Sequence, residues 1–457
     1  MQRIDFDSGN IAGNIARTAL PMLAAQVLNL LYSIVDRVYI GRIPGEGMNA
    51  LGAVGLCFPV VSLILGFTNL YGMGGAPLFS MELGRGDVRK AGQILNTSFR
   101  LLAVTALALI VSGELCAEPI LRLLGASELS MAYALPYLRI YLLGTFFSMI
   151  ATGMNPFINA SGFPGMAMIS VVCGAVSNLI LDPLFIFALD LRVRGAAVAT
   201  VLSQLLSALV TARYFLSEQA PHKIVFARER SEARLPYAKD IIGLGTASFI
   251  MQCTNSAVQI CCNNVLMRFG GELYVSIMTI VSSVRQILET PVSALAEGAS
   301  PIISYNYGAR RIGRVRKAIV IMTGTAVVYT LLAWLLVEWK PALLISVFNT
   351  EEELLADAVP ALHLYFFAFV FQSLQFSGQT VFKALNKKNK AIFFSIFRKV
   401  IIVVPLTCLL PYAAGLGTDG VFMAEPVSNV AGGVICFGTM LLTVLPELRR
   451  LEEQNEL

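Results

Sequence analysis

Charged side chains are scarce in this sequence. Asp, Glu, Lys and Arg make up 14% of the 457 residues, against roughly 25% in ordinary soluble domains. A soluble chain so short of charge could not cover its own surface. The residue patterns of catalysis and metal binding are missing as well. Histidine occurs only as His222 and His363, which excludes an HExxH zinc site. The eight cysteines lie within or at the ends of apolar segments and form no CxxC pair. They read as small buried hydrophobes rather than disulfides or zinc ligands. No lysine follows a glycine, so there is no GxxxxGK[ST] loop to hold ATP phosphates. A serine nucleophile elbow is absent too. A membrane-embedded enzyme therefore has no motif behind it, and energy for any transport would come from an ion gradient. The opening residues, MQRIDFDSGN, are polar and acidic, unlike a cleaved signal peptide.

What fills the chain instead is apolar: 56% hydrophobic residues and a mean hydropathy of +0.70. Runs of about 20 apolar residues, the length that crosses a bilayer, recur from end to end. Twelve spans are expected, at 15–40, 51–80, 93–117, 133–155, 165–189, 195–216, 241–267, 273–304, 316–338, 359–384, 391–411 and 420–445. With both termini cytoplasmic, 20 Lys and Arg fall inside and six outside, which fixes that orientation by the positive-inside rule. The inner charges cluster in "GRGDVRK" (84–90), "GARRIGRVRK" (308–317) and the linker at 217–240. The net charge of +5 thus reflects topology, and nothing supports a nucleic-acid partner.

The chain is also written twice. Shifted by 224 residues, "APLFSMELG" (76–84) meets "SPIISYNYG" (300–308), and "LPYLRIY" (135–141) meets "VPALHLY" (359–365). One residue further, "GAAVATVLS" (195–203) meets "GVFMAEPVS" (420–428). A common offset over most of the chain argues for duplication. Six spans per copy is an even number, so the copies are parallel repeats. The expected fold is an all-α polytopic membrane protein, with twelve transmembrane helices as two parallel six-helix repeats around a central cleft. Residues 1–222 would hold the first lobe and the start of the linker, and 223–457 the rest.

Charge inside a bilayer costs about 2.5–3.5 kcal/mol on insertion scales and usually marks function. The first repeat offers Asp36, in "YSIVDRVYIG", and Asp182, in "NLILDPLF". Asn178 lies one turn before Asp182 and shares its helix face. Pro183 cannot donate to the carbonyl of Leu179, which frees a backbone oxygen, and Thr200 adds a hydroxyl from the next span. Such an oxygen-rich set suits a hard cation or a proton. Two plainer readings stand beside it: Asp182-Pro183 as a helix-end feature, and Asp36 as a partner of Arg37 or a helix cap.

The duplicated six-span plan, "VDRVYIG" closing the first span, "NLILDP" in the fifth and "PIISYNYGA" after the eighth resemble the MATE family of multidrug and toxin extrusion transporters, in its bacterial MepA-like branch. The resemblance covers essentially the whole chain. It implies antiport, with a lipophilic and often cationic compound leaving as Na⁺ or H⁺ enters. It places the cation site on Asp36, Asn178, Asp182 and Thr200, with no cofactor beyond the coupling ion and no metal beyond Na⁺ at that site. Pro21, in "ALPMLAA", matches the family proline at which the first helix bends; an ordinary membrane kink is the alternative. Pro183 is a second bending position. The implied protein is a monomer among lipids in a bacterial cytoplasmic membrane.

Some branches of the family carry an acidic residue in the seventh span, and "FIMQCTNSAVQICCNNVLMRF" has none. The second lobe instead buries Arg285 and Glu289, four apart in the eighth span, with Arg398 and Lys399 in the eleventh. They read as interhelical ion pairs, or Glu289 as a second cation or substrate contact. "FFAFVFQSLQF" (366–376) and the scattered Met residues read as packing, some of them lining a drug cavity. A flippase for a lipid-linked precursor, from the same broader superfamily, is the competing function; Arg285, Arg398 and Lys399 favour it.

Overall fold

The computed structural model describes residues 3–218, 220, 223, 235–348 and 352–456. Most of the central linker, with His222, Arg228, Arg230 and Arg234, lies outside the described residues. Among the described residues there is helix and no strand. This is the expected outcome for spans in lipid, where each backbone N–H and C=O must find its partner within the segment.

The first half of the chain runs through α1 (Ile11–Gly41), α2 (Gly47–Gly84), α3 (Val88–Leu123), α4 (Glu128–Ala160), α5 (Pro164–Pro183) and α6 (Arg192–Leu216). Prolines sit inside α1 to α4 without ending them. The turn into α3 is capped by Asp87, whose side chain accepts from the Lys90 backbone N–H at 2.9 Å. That hydrogen bond holds the Asp87 carboxyl below its ordinary value.

The second half starts with α7 (Ala238–Gly308), 71 residues long. A straight helix of that length would measure about 105 Å, over three times the hydrocarbon thickness of about 30 Å. It is two spans. Gly271, at φ 65° and ψ −160°, breaks it in a conformation open only to glycine. Next come α8 (Ile312–Trp339), a short α9 (Pro341–Ser346), α10 (Glu352–Phe366) and α11 (Phe369–Ala384). The last two form one span bent by 43°. After α12 (Lys388–Ile396), a π-helical stretch (Phe397–Val403) leads into α13 (Val404–Leu409), and α14 (Gly417–Glu456) closes the chain. Taken together, the segments make twelve spans in the expected order.

The helices group into two compact units, one of Met1–Asp5 and Ala24–Phe249, the other of Phe6–Leu23 and Ile250–Leu457. The first unit packs around residues such as Phe79 and Phe157, whose rings meet edge to face at 5.6 Å. Phe366, Phe369 and Phe422 lie in the core of the second. Large apolar side chains such as Leu115 and Leu442 stay exposed, the arrangement expected of a surface solvated by lipid. In the second unit Arg314 donates to the carbonyls of Phe6, Ser8 and Gly9, and Arg311 to that of Asp7. The basic cluster at 308–317 thereby holds the N-terminal segment.

A second π-helical turn, Leu184–Ala188, follows Pro183. The start of α6 packs directly on its backbone: a Cβ at Gly195 would lie 2.6 Å from the carbonyl of Phe185. Gly420 in the second repeat is in the same position against Leu410 and Pro411. Gly195→Ala is therefore expected to destabilise the protein by about 1–3 kcal/mol, the usual range for overpacking. Thermal unfolding in detergent checks this; an unchanged midpoint would mean that the two segments are free to separate.

Candidate functional site

Asp182 occupies the last α-helical turn of α5, immediately before the proline and the π-helical turn. Its side chain is fully buried, and Asn178 is 2% exposed. The Asn178 amide donates to Asp182 Oδ1 at 3.2 Å. From α1, the Asp36 carboxyl comes within hydrogen-bonding reach of Asp182. Three acceptor oxygens here are buried without a hydrogen-bond partner: Asp36 Oδ1, Asn178 Oδ1 and Asp182 Oδ2. Carboxylate oxygens only accept, and two carboxylates in contact cannot both stay ionised without a positive charge between them. The donor set therefore fits a proton or a small hard cation.

Arg37 acts on Asp36 through its charge, but among the described residues it forms no ion pair with either carboxyl. Its guanidinium lies over the Phe58 ring, 4.6 Å from the centroid. Thr200 lies in α6, where its hydroxyl donates to the Ala196 carbonyl at 2.9 Å. Among the described residues no hydrogen bond joins it to either carboxyl. Pro21 lies within the continuous helix α1, close to where that helix passes from one compact unit to the other. Tyrosines complete the surroundings: Tyr32 feels both carboxylates and Tyr137 feels Asp36. Tyr137 stacks on Tyr141 with centroids 6.2 Å apart.

The second unit gathers charge of the opposite balance. Glu425 of α14, 4% exposed, receives Arg285 Nη2 at 2.7 Å and Lys399 Nζ at 3.4 Å. Arg398 closes on the same Glu425 oxygen and also donates to Ser428 Oγ. Arg285 further binds Glu289 at 3.1 Å and the Tyr365 hydroxyl at 2.8 Å. Arg398 and Lys399 both stand on the π-helical stretch 397–403. A π-turn changes the angular spacing of side chains, and such turns occur mostly at functional sites. Each unit thus carries a π-turn in its fifth span, beside or beneath its charged residues. Arg285, Glu289, Arg398 and Lys399 are brought together as the sequence suggests, but the carboxylate that organises them is Glu425, which sequence reasoning missed.

The MatE family model matches residues 21–184 and, a second time, residues 247–409. The chain belongs to the MatE family. It is 26% identical to the multidrug export protein MepA of Staphylococcus aureus, over 99% of this chain and 98% of that protein. A solved outward-facing multidrug resistance MATE family transporter of the MOP superfamily shares its fold, with TM-score 0.88 and 22% identity over 99% of both chains. A Pyrococcus furiosus transporter of the MOP superfamily matches equally well, at TM-score 0.88 and 22% identity over 99% of both chains; its binding pocket is described as having reversed polarity, suggesting a different function. This MatE protein is a multi-pass membrane transporter with the twelve-helix MATE fold, and its relatives are named for multidrug export.

Proposed function

We propose that this MatE protein exports lipophilic, often cationic compounds by antiport against Na⁺ or H⁺, working by alternating access. One observation carries the reading: a buried Asp36–Asp182 pair, with Asn178, presents three oxygens that lack any donor. Thr200, on the neighbouring helix, is the fourth member of the proposed cation site, and Pro21 and Pro183 are the bending points around it. Relatives named for multidrug export support the substrate class. The protein performs no covalent chemistry and needs no cofactor beyond the coupling ion. It works as a monomer among lipids in the bacterial cytoplasmic membrane, with both termini cytoplasmic, as the distribution of Lys and Arg indicates.

Dye efflux from everted vesicles tests this, with Na⁺ and pH gradients imposed one at a time. Export should follow one of the two and stop when that gradient is collapsed. Export indifferent to both gradients would overturn the reading. The competing function, a flippase for a lipid-linked precursor, draws on Arg285, Arg398 and Lys399 and on the Pyrococcus furiosus protein of reversed pocket polarity. Such a flippase would leave the dye in place and move the lipid instead.

A further inference from the structure

The charges of the second-unit cluster do not sum to zero. Arg285, Arg398 and Lys399 face Glu425 and Glu289, and among the described residues these are their ion-pair partners. With all five groups ionised, three cations against two carboxylates leave one positive charge in surplus, within helices that cross a bilayer. A net charge there is costly, and a buried cation is tolerated only when it is paired and its hydrogens are used.

The surplus can be located. Arg285 uses Glu289, Glu425 and Tyr365, and Arg398 uses Glu425 and Ser428. Lys399 is 7% exposed and touches only Glu425, through its longest ion pair, at 3.4 Å. All three cations meet on a single oxygen, Glu425 Oε1. An ammonium has three N–H donors, so most of the hydrogen-bonding capacity of Lys399 has no acceptor among the described residues. Polar groups stand nearby: Cys262 of α7, which feels Glu425, Lys399 and Arg285, and Thr407, whose hydroxyl faces the Cys262 thiol at 3.9 Å. The Arg285–Glu289 edge is the open side, with side chains 14% and 27% exposed.

We propose that this cluster is a binding site for one anionic group, a carboxylate or a phosphate monoester carried by an amphiphile. The anion accepts from the unused Lys399 donors and neutralises the surplus charge. Arginine and lysine together suit such a group, the guanidinium by its planar fork and the ammonium as a point charge. The first repeat bears surplus negative charge at Asp36 and Asp182, and the second bears surplus positive charge around Glu425, the residue that the internal repeat pairs with Thr200. One duplicated scaffold thus carries a cation site in one copy and an anion site in the other. The anion site stands independently of the coupling reading, because binding is measured without any gradient.

The test is calorimetric titration of the full-length protein in phosphatidylcholine nanodiscs, with decyl phosphate and inorganic phosphate as probes. Decyl phosphate should bind at one site per chain and decyltrimethylammonium should not displace it. Lys399→Gln should weaken the decyl phosphate affinity roughly tenfold or more, the scale for losing a buried charged hydrogen-bond partner, while Lys399→Arg restores it. Removing a surplus charge leaves the fold intact, so a matching thermal midpoint for Lys399→Gln separates lost binding from lost folding. Doping the discs with phosphatidylglycerol identifies the source: competition means that a lipid headgroup occupies the site, and no competition means a diffusible amphiphile. Equal affinity in wild type and Lys399→Gln, or no saturable binding of either phosphate probe, would overturn the proposal.

Discussion

Replacing Asp182 with asparagine is expected to bring gradient-driven export down to background while the protein still inserts and folds. The substitution keeps the shape of the side chain and its contact with the Asn178 amide, 3.2 Å away in the wild type. It removes one intramembrane charge, which is not a costly loss. On the proposed antiport, what disappears is the exchangeable positive charge between Asp182 and Asp36, since asparagine neither repels a neighbouring carboxylate nor takes up a proton. An antiporter needs drug and driving ion to favour different states, and that coupling is typically worth 1–3 kcal/mol. With the site fixed in a neutral condition, ion arrival no longer biases the equilibrium. Substrate binding to purified Asp182→Asn should persist, so a binding titration beside the vesicle assay separates lost coupling from lost recognition. Normal export by this variant under the same gradient would reduce Asp182 to a helix-end residue.

The parts of the site visible in the sequence are those where burial conflicts with chemistry. Asp36 and Asp182 stand out because charge is rare in apolar runs, and Asn178 because it falls one turn away on the same face. Arg285 and Glu289 stand out by their spacing, and the ion pair is present. The twelve spans are equally visible, since each must supply an apolar run of bilayer length. The break at Gly271 falls in the gap between the expected seventh and eighth spans. The π-helical turns at Leu184–Ala188 and Phe397–Val403 are another matter. A π-turn differs from an α-turn by one residue in hydrogen-bond register and leaves no compositional mark. Tyr32 and Tyr137 were hidden because tyrosine is ordinary in a membrane helix. Of "FFAFVFQSLQF", Phe366 and Phe369 do pack in the core, whereas Phe367 is 71% exposed. Glu425 is different again. Its signal was available: the repeat sets it opposite Thr200, and it is the only acidic residue in the span 420–445.

That position is also where the largest loss of stability is expected. Glu425→Gln removes the negative charge of the carboxylate on whose Oε1 Arg285, Arg398 and Lys399 converge, leaving an amide oxygen that accepts but does not neutralise them. Breaking a buried pair by removing one partner costs about 3–5 kcal/mol, because the other charge is left uncompensated. Here three cations share the missing partner, and Glu289 on the exposed edge has its ion pair with Arg285. The variant is expected to lose most of its folded population in detergent, read as a collapsed monomer peak on size exclusion and a lowered thermal midpoint. A second change should recover part of it, and the geometry ranks the candidates. Arg398, which closes more tightly on Glu425 than Lys399 does, should give Glu425→Gln/Arg398→Gln the larger coupling energy. Glu425→Gln/Lys399→Gln should give a smaller one, since that contact is 3.4 Å long. Neighbours sharing one ion-pair network are the case in which single changes fail to add. A Glu425→Gln variant as stable as wild type would show that the cations do not depend on this carboxylate, and equal coupling in the two double variants would show that they are not ordered by their distances to it.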